Sequence, residues 1–229
     1  MALTTYQEVE DEVINWIDRE DLRARFNTWI TLTTEECSKQ LRTPAMENTV
    51  LLAIDEGGKI SIPSDYIEAI SVNHLFEYED DDRGTNGIKG RNSLNRSDPK
   101  IFNNSAYLEV GGATNFARVG NEFIIFPIEG RKEYIDTPNP SFEDFGYIEL
   151  YYYKLLPALE EAGDTNWLLT VSPEVYFYGC MYHAHQFIKD FDAAEYWGGK
   201  FIQGIQSTQQ KADRDEFTGG FIQSGVGMR

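Results

Sequence analysis

The side chains that come nearest to a metal site are His183 and His185, with Cys180 before them and Asp190 after. Imidazole, thiolate and carboxylate are the ligands that a zinc-like cation takes. The stretch "EVYFYGCMYHAHQFIKDF" reads as a helix, however, and residues two apart on a helix point about 200° apart. The two imidazoles therefore diverge, as histidines satisfied inside a packed bundle would. A second stretch, "EDDDRGTNG", opens like a calcium loop. Its twelfth position counted from Asp80 is Arg91, where such a loop needs a bidentate Glu, so it reads as a solvated charge run. Glu160, Glu161 and Asp164 follow a tyrosine-rich strand and could pair two carboxylates for glycoside chemistry. No motif sets a second acid opposite the first, and the spacing is that of a surface loop. The sequence holds no phosphate-binding glycine loop, no G-x-S-x-G and no H-E-x-x-H. These residues predict a non-enzymatic protein with no catalytic residue, no metal and no cofactor.

The elements that carry these residues follow from periodicity. Thr4 or Thr5 can cap a first helix, with Gln7 or Glu8 completing a capping box. Val9, Val13, Trp16 and Ile17 then recur at helical spacing. After the break "DREDLRAR", a second helix carries Leu22, Phe26, Trp29, Ile30, Thr33, Cys37 and Leu41 on one stripe, and Pro44 ends it. The middle of the chain changes to strands. "TVLLAID" and "KISIP" read as short strands around a glycine turn, and "EAISVNHLFEYE" as a third. "ATNFARVGNEFIIFPIEG" reads as a hairpin turning at Gly120-Asn121. In "YIELYYYK", Ile148, Leu150 and Tyr152 share the face predicted to be core, while Tyr147, Glu149, Tyr151 and Tyr153 share a half-polar face. Between the strands, Glu79 to Ser105 is rich in Asn, Gly, Ser and charge, and reads as a long surface loop or arm.

The last third returns to helix. Ser172-Pro173-Glu174 is a start signal: a capping serine, a proline at the first helical position and an acid in the first turn. The helix that follows is apolar almost all round, which marks a buried central helix. Asp192 and Glu195 can cap the last helix, whose stripe is Ala194, Trp197, Phe201, Ile205 and Ala212. Gly198 and Gly199 interrupt it, which predicts a close helix contact or a kink. The end, "FTGGFIQSGVGMR", predicts a flexible tail with apolar anchors at Phe217, Phe221, Ile222 and Val226. The fold class is thus α+β. Residues 1–44 and 158–216 supply a helical bundle, residues 45–157 a central antiparallel β domain with the arm 79–105, and residues 217–229 an extended tail.

Composition sets the outer bounds. A chain of 229 residues with 13 Tyr and 14 Phe can fill a core without staples. The two cysteines, Cys37 and Cys180, form no CxxC pair and predict free thiols. The acidic N-terminus lacks the order of a signal peptide, and no apolar run is long enough to span a membrane. A formal charge of −18 disfavours direct DNA or RNA binding, which relies on basic faces. The aromatic stretch Phe145 to Gly179 then has two readings, a sugar-binding face or a packed joint.

Taken in order, "IELYYYKLLPAL", a short acidic loop and "TNWLLTVSPEVYFYGCMYHAHQFIKD" resemble the head-to-tail adaptor (connector) proteins of short-tailed bacteriophages. The N-terminal helices, "GGKISIPSDYIEAISV", "FARVGNEFIIFPI" and "KADRDEFTGGFI" fall in the order expected of that family, so the resemblance covers nearly the whole chain. It implies a virion structural protein at the neck between capsid and tail. Such a protein forms a dodecamer ring with neighbouring adaptor subunits under the portal protein, extends the DNA channel, and carries the tail nozzle and tail fibres. Double-stranded DNA would only pass through, and no membrane is involved. The portal-docking tail of the family maps to Phe217, Gly219, Gly220, Phe221, Ile222 and Val226. A ring repeats one heterologous contact until it closes, and so needs two different patches on each subunit. Tyr151, Tyr153, Trp167 and Tyr176 are expected at domain packing or subunit contacts. The alternatives are a neck or tail-completion protein, and a carbohydrate-binding tail component that uses Tyr151 and Tyr153 as a platform.

Overall fold

The chain divides into a helical unit, Met1–Met46 with Leu155–Arg229, and a β unit, Glu47–Lys154. A computed structural model describes residues 3–55, 58–77, 88–100, 113–126 and 147–217. The class is α+β, as the sequence predicts.

In the helical unit, α1 (Tyr6–Ile17) begins with the capping box in its Thr5/Glu8 form. The Thr5 hydroxyl accepts from the Glu8 amide, and the Glu8 carboxylate accepts from the Thr5 and Thr4 amides. Two further amides of that first turn, those of Tyr6 and Gln7, donate to the carbonyls of Asp164 and Ala162 at 2.9 and 3.2 Å. The acidic loop therefore holds the start of α1. Asp164 itself closes that loop by accepting from the amides of Glu160 and Glu161, which lowers its pKa. A 3₁₀ helix, Glu20–Arg25, fills the expected break and leads into α2 (Phe26–Gln40). The predicted stripe of α2 is buried throughout, from Leu22 to Leu41. Its buried threonines are tolerated because Thr33 and Thr34 return their hydroxyls to the carbonyls of Trp29 and Ile30, both at 2.8 Å. The helix ends at Gln40, before Pro44, which instead opens a 3₁₀ turn, Pro44–Met46.

Three more helices complete the unit: α3 (Trp167–Val171), α4 (Pro173–Ile188) and α5 (Phe191–Phe217). Two expected caps differ. Ser172 precedes Pro173, but its hydroxyl makes no capping bond; it lies 2.9 Å from the Thr208 hydroxyl of α5. The start of α5 is capped by Asp190, whose carboxylate accepts from the Ala193 amide, and not by Asp192. Asp192 falls one residue inside the helix, where its side chain no longer faces the free amides. α4 is the buried central helix, with Val175, Tyr176, Cys180, Met181 and Ala184 fully covered. Its close approach to neighbours depends on Gly179. A Cβ there would strike Thr33 Cγ2 of α2 and sit 2.9 Å from Phe201 Cε2 of α5. On α5, Gly198 gives the expected close contact, since its Cβ would lie 3.0 Å from the Tyr182 ring, and the helix runs unbroken through it. Gly199 has nothing within 4 Å.

The β unit is two four-stranded sheets. One has the order β1 (Glu47–Ala53), β8 (Tyr147–Lys154), β3 (Tyr66–Glu77), β4 (Ile88–Ser93), antiparallel throughout. The other has the order β2 (Lys59–Ser61), β7 (Glu122–Phe126), β6 (Asn115–Val119), β5 (Asn95–Arg96), with β5 and β6 parallel. The hairpin β6–β7 turns at Gly120, at φ 64°, as expected. The two strands around Gly57-Gly58 exist but enter different sheets, so they are a corner and not a hairpin. Asp55 makes that corner by accepting from the Lys59 amide at 2.7 Å. The segment expected as an arm is partly strand: β4 and β5 lie within it, the former paired to residues 73–77 of β3. Its backbone pairs although its side chains are poor strand formers, because β3 offers an open edge. Residues 79–87 and 101–105 of that segment lie outside the described residues. Between the sheets Ile54, Ile60, Val72, Phe116, Phe123, Ile148, Leu150 and Tyr152 form one core, with the alternation of β8 as predicted.

These packing distances give opposite expectations for two glycines. Gly179→Ala should lower stability by about 1–3 kcal/mol through overpacking against α2 and α5. Gly199→Ala, in open space on a helix, should raise it by about 1 kcal/mol. Urea titration of both variants measures the two signs; equal shifts would refute the packing argument.

Candidate interaction surface

Sequence reasoning placed four residues at packing or subunit contacts. Tyr176 is fully buried, and its hydroxyl accepts from Asn166 Nδ2 at 2.7 Å and from the Thr34 hydroxyl at 3.4 Å. Tyr151 and Tyr153 are half-buried on β8, opposite Thr49 and Ser71, and Glu47 and Glu68, of the flanking strands. Trp167 is half-buried at the first position of α3. The crossing into the helices is held by its neighbour Asn166. The Asn166 amide donates to the Pro157 carbonyl at 3.1 Å and to Tyr176, while its carbonyl caps α3 through the Leu169 amide. Asn was missed because a single polar residue before a short helix carries a capping signal at most, and nothing local announces a tertiary partner. Of the expected tail residues, Phe217 closes α5, while Gly219, Gly220, Phe221, Ile222 and Val226 lie outside the described residues.

The histidines do not converge. His185 Nδ1 lies 3.4 Å from Asp190 Oδ2, while His183 Nε2 is buried with no hydrogen-bond partner among the described residues. Among the described residues no group of three or more His, Cys, Asp or Glu is arranged to hold a metal ion. Burial pushes the Cys180 thiol up to about 12 and raises Cys37 and Tyr176 as well. Both cysteines are free.

A feature that sequence reasoning did not identify is an aromatic groove in the helical unit. It has a volume of about 510 Å³ and is walled by Trp16 of α1, Phe177 and Tyr178 of α4, and Tyr196, Trp197 and Lys200 of α5. Trp16 and Trp197 were expected on buried stripes. The α1 stripe instead buries Tyr6, Val9, Val13 and Ile14, and Trp16, in the last turn, is 60% exposed. The 3.6-residue period puts it nearly in phase, but the helix ends at Ile17 with no further turn beyond it to be covered. The rings pack edge to face: Trp16 meets Phe177 at 5.8 Å and Trp197 at 5.9 Å, and Trp197 meets Phe177 at 5.8 Å and Tyr196 at 5.1 Å. Tyr178 stacks on Trp197 at 5.8 Å. Lys200 sets its ammonium 5.9 Å from the Tyr196 ring. Glu174 stands exposed at the rim. A rigid, half-exposed cluster of Trp and Tyr with one cation is the composition of a protein contact and not of an acid–base site.

The SU10 adaptor protein family model matches residues 4–224. No curated protein sequence matches the chain significantly. No helix among the described residues is long and apolar enough to cross a membrane.

Two substitutions test the buried polar groups. Asn166→Ala strips α3 of its cap and Tyr176 of its shorter bond, and should destabilise by about 2 kcal/mol in denaturant titration. His183 is held below its ordinary value of 6.5 by burial. The unfolded chain then binds the proton first as pH falls past 6.5, so this contribution is full above that pH and is lost on acidification toward the folded value. Melting temperatures from pH 7.5 to 5.5 should fall less steeply for His183→Phe than for the wild type. Parallel profiles would contradict that origin.

Proposed function

This chain belongs to the SU10 adaptor protein family, and from that premise we propose that it is a head-to-tail adaptor of a bacteriophage virion. In this reading it forms a ring, a dodecamer, between the portal protein and the tail nozzle with its fibres, and the ring extends the channel through which DNA leaves the capsid. The observation that carries the proposal is a family match spanning both the helical and the β unit. The aromatic groove supports it, since a ring needs exposed patches that a solitary protein would cover. The half-buried Tyr151 and Tyr153 favour a packing role over a flat sugar platform.

The charge of −18 suits this role. A channel lined by Asp and Glu would repel the phosphate backbone, so that DNA slides without sticking. The segment after α5 keeps its proposed task of portal attachment, through Phe221, Ile222 and Val226. With so few apolar side chains, these anchors would dominate the affinity.

Deleting residues 217–229 should leave the melting temperature unchanged and weaken attachment to purified portal by about tenfold or more. A cryo-EM map of the neck would place the ring directly. Undiminished attachment by the truncated chain would remove the tail from this account, and a map lacking the chain between portal and nozzle would remove the account itself.

A further inference from the structure

α5 presents two apolar flanks that its own unit leaves uncovered. One belongs to the aromatic groove, where Tyr196 is 58% exposed beside Trp197 and Lys200. The other is formed by Phe191 and Ile202, 68% and 48% exposed. Phe191, Glu195 and Ile202 fall within about 40° of one another on the helix, while Trp197 and Lys200 lie about 120–180° away from them. The two flanks therefore face different directions from one helix.

Their charges are opposite. In the groove, Lys200 has no carboxylate at ion-pair distance among the described residues, only the Tyr196 ring beneath it. On the other flank, Glu195 and Asp192 are exposed and have no cation at ion-pair distance among the described residues. Glu174 is the acid on the groove side, at the far rim by Pro173. A chain of net charge −18 repels its own copies, so any contact between copies needs apolar area with a local exception to that charge. Lys200 is such an exception.

We infer that the aromatic groove of one copy receives the Phe191–Glu195–Ile202 flank of the next, with Lys200 paired to Glu195. The contact is heterologous: the same two patches, one on each side of α5, repeat from copy to copy and close a ring when the rotation allows. The inference rests on the ring reading above and specifies its seam. Phe191 and Ile202 fill the space between the Trp16 and Tyr196 lips, and the aromatic rings exclude water from the ion pair.

Four chains test it: the wild type, Lys200→Glu, Glu195→Lys, and the double exchange. Assembly is followed by native mass spectrometry at rising concentration, alone and with purified portal. Each single exchange places like charges across the seam and should raise the concentration needed for assembly by about tenfold. The double exchange restores the pair with reversed sign and should return assembly to near the wild-type level, which mere local damage to α5 would not do. If all four chains assemble alike, the ring reading stands and this seam is wrong. Failure of the double exchange to recover likewise overturns the seam. A wild type that stays monomeric with portal in excess removes the ring reading and the seam together. Assembly that tolerates the single exchanges but is lost on deleting residues 218–229 gives the groove to that segment and overturns the inference.

Discussion

A helix buried over most of its circumference dictates the layout of the chain. Along α4, Val175, Tyr176, Cys180, Met181 and Ala184 spread over about 240° of the helix circumference and must all leave water, while Glu174 and Gln186 stay exposed. No single neighbour can cover such a helix, so α1 and α2 come from the N-terminal end and α3 and α5 from the C-terminal end. This explains why residues 1–46 and 155–229 form one unit although more than a hundred residues separate them. The β unit is an insertion in the cover and has its own core, built on Tyr152, Phe123 and their neighbours. Gly179 sets how tightly the cover closes. It is the position where α2 and α5 approach α4 from different sides, and there a side chain has no room.

The cover is incomplete on one side. α1 ends at Ile17, and its last turn brings Trp16 over Phe177 without sealing the space toward α5. Tyr196, Trp197 and Tyr178 line what is left. A monomer whose only requirement was stability would place small or polar residues at such an edge. Here five large rings hold one another edge to face or stacked, which fixes their positions before any partner arrives. Side chains already ordered lose little entropy on binding, so their area counts nearly in full toward association.

Much of the fold was legible because its signals are local. The Thr5/Glu8 capping box, the Gly120 turn, the alternation of β8 and the Pro173 start each lie within a few residues of the structure they specify. What was not legible depends on partners distant in sequence. Ser172 looks like a cap, but Thr208 competes for its hydroxyl. β4 looks like loop, since its Gly and Asn have low strand propensity, yet the edge of β3 recruits its backbone. β1 and β2 read as two short strands around a glycine turn, and only the two-sheet arrangement shows that they pair in different sheets. Trp16 and Trp197 have the period of core residues; their half-exposure follows from where α1 stops. The groove is therefore a tertiary fact, and no motif within one helix encodes it.

The titratable groups in the interior point the same way as the groove. Catalysis needs side chains tuned toward the working pH, with thiols lowered and acids or imidazoles brought near neutrality. Burial here does the reverse, driving Cys37, Cys180 and Tyr176 up and His183 down, each toward its uncharged form. These are packing residues whose polar atoms are kept neutral. The charged residues lie outside, where water and salt screen them over about 8 Å. A phage structural adaptor of this composition cannot draw its copies together by net charge, because each added copy brings the same negative excess. Attraction must come from apolar area, and direction from the few places where the local sign is inverted. On the ring reading proposed above, that division of labour would account for an exposed tryptophan beside a lysine that has no carboxylate at ion-pair distance among the described residues.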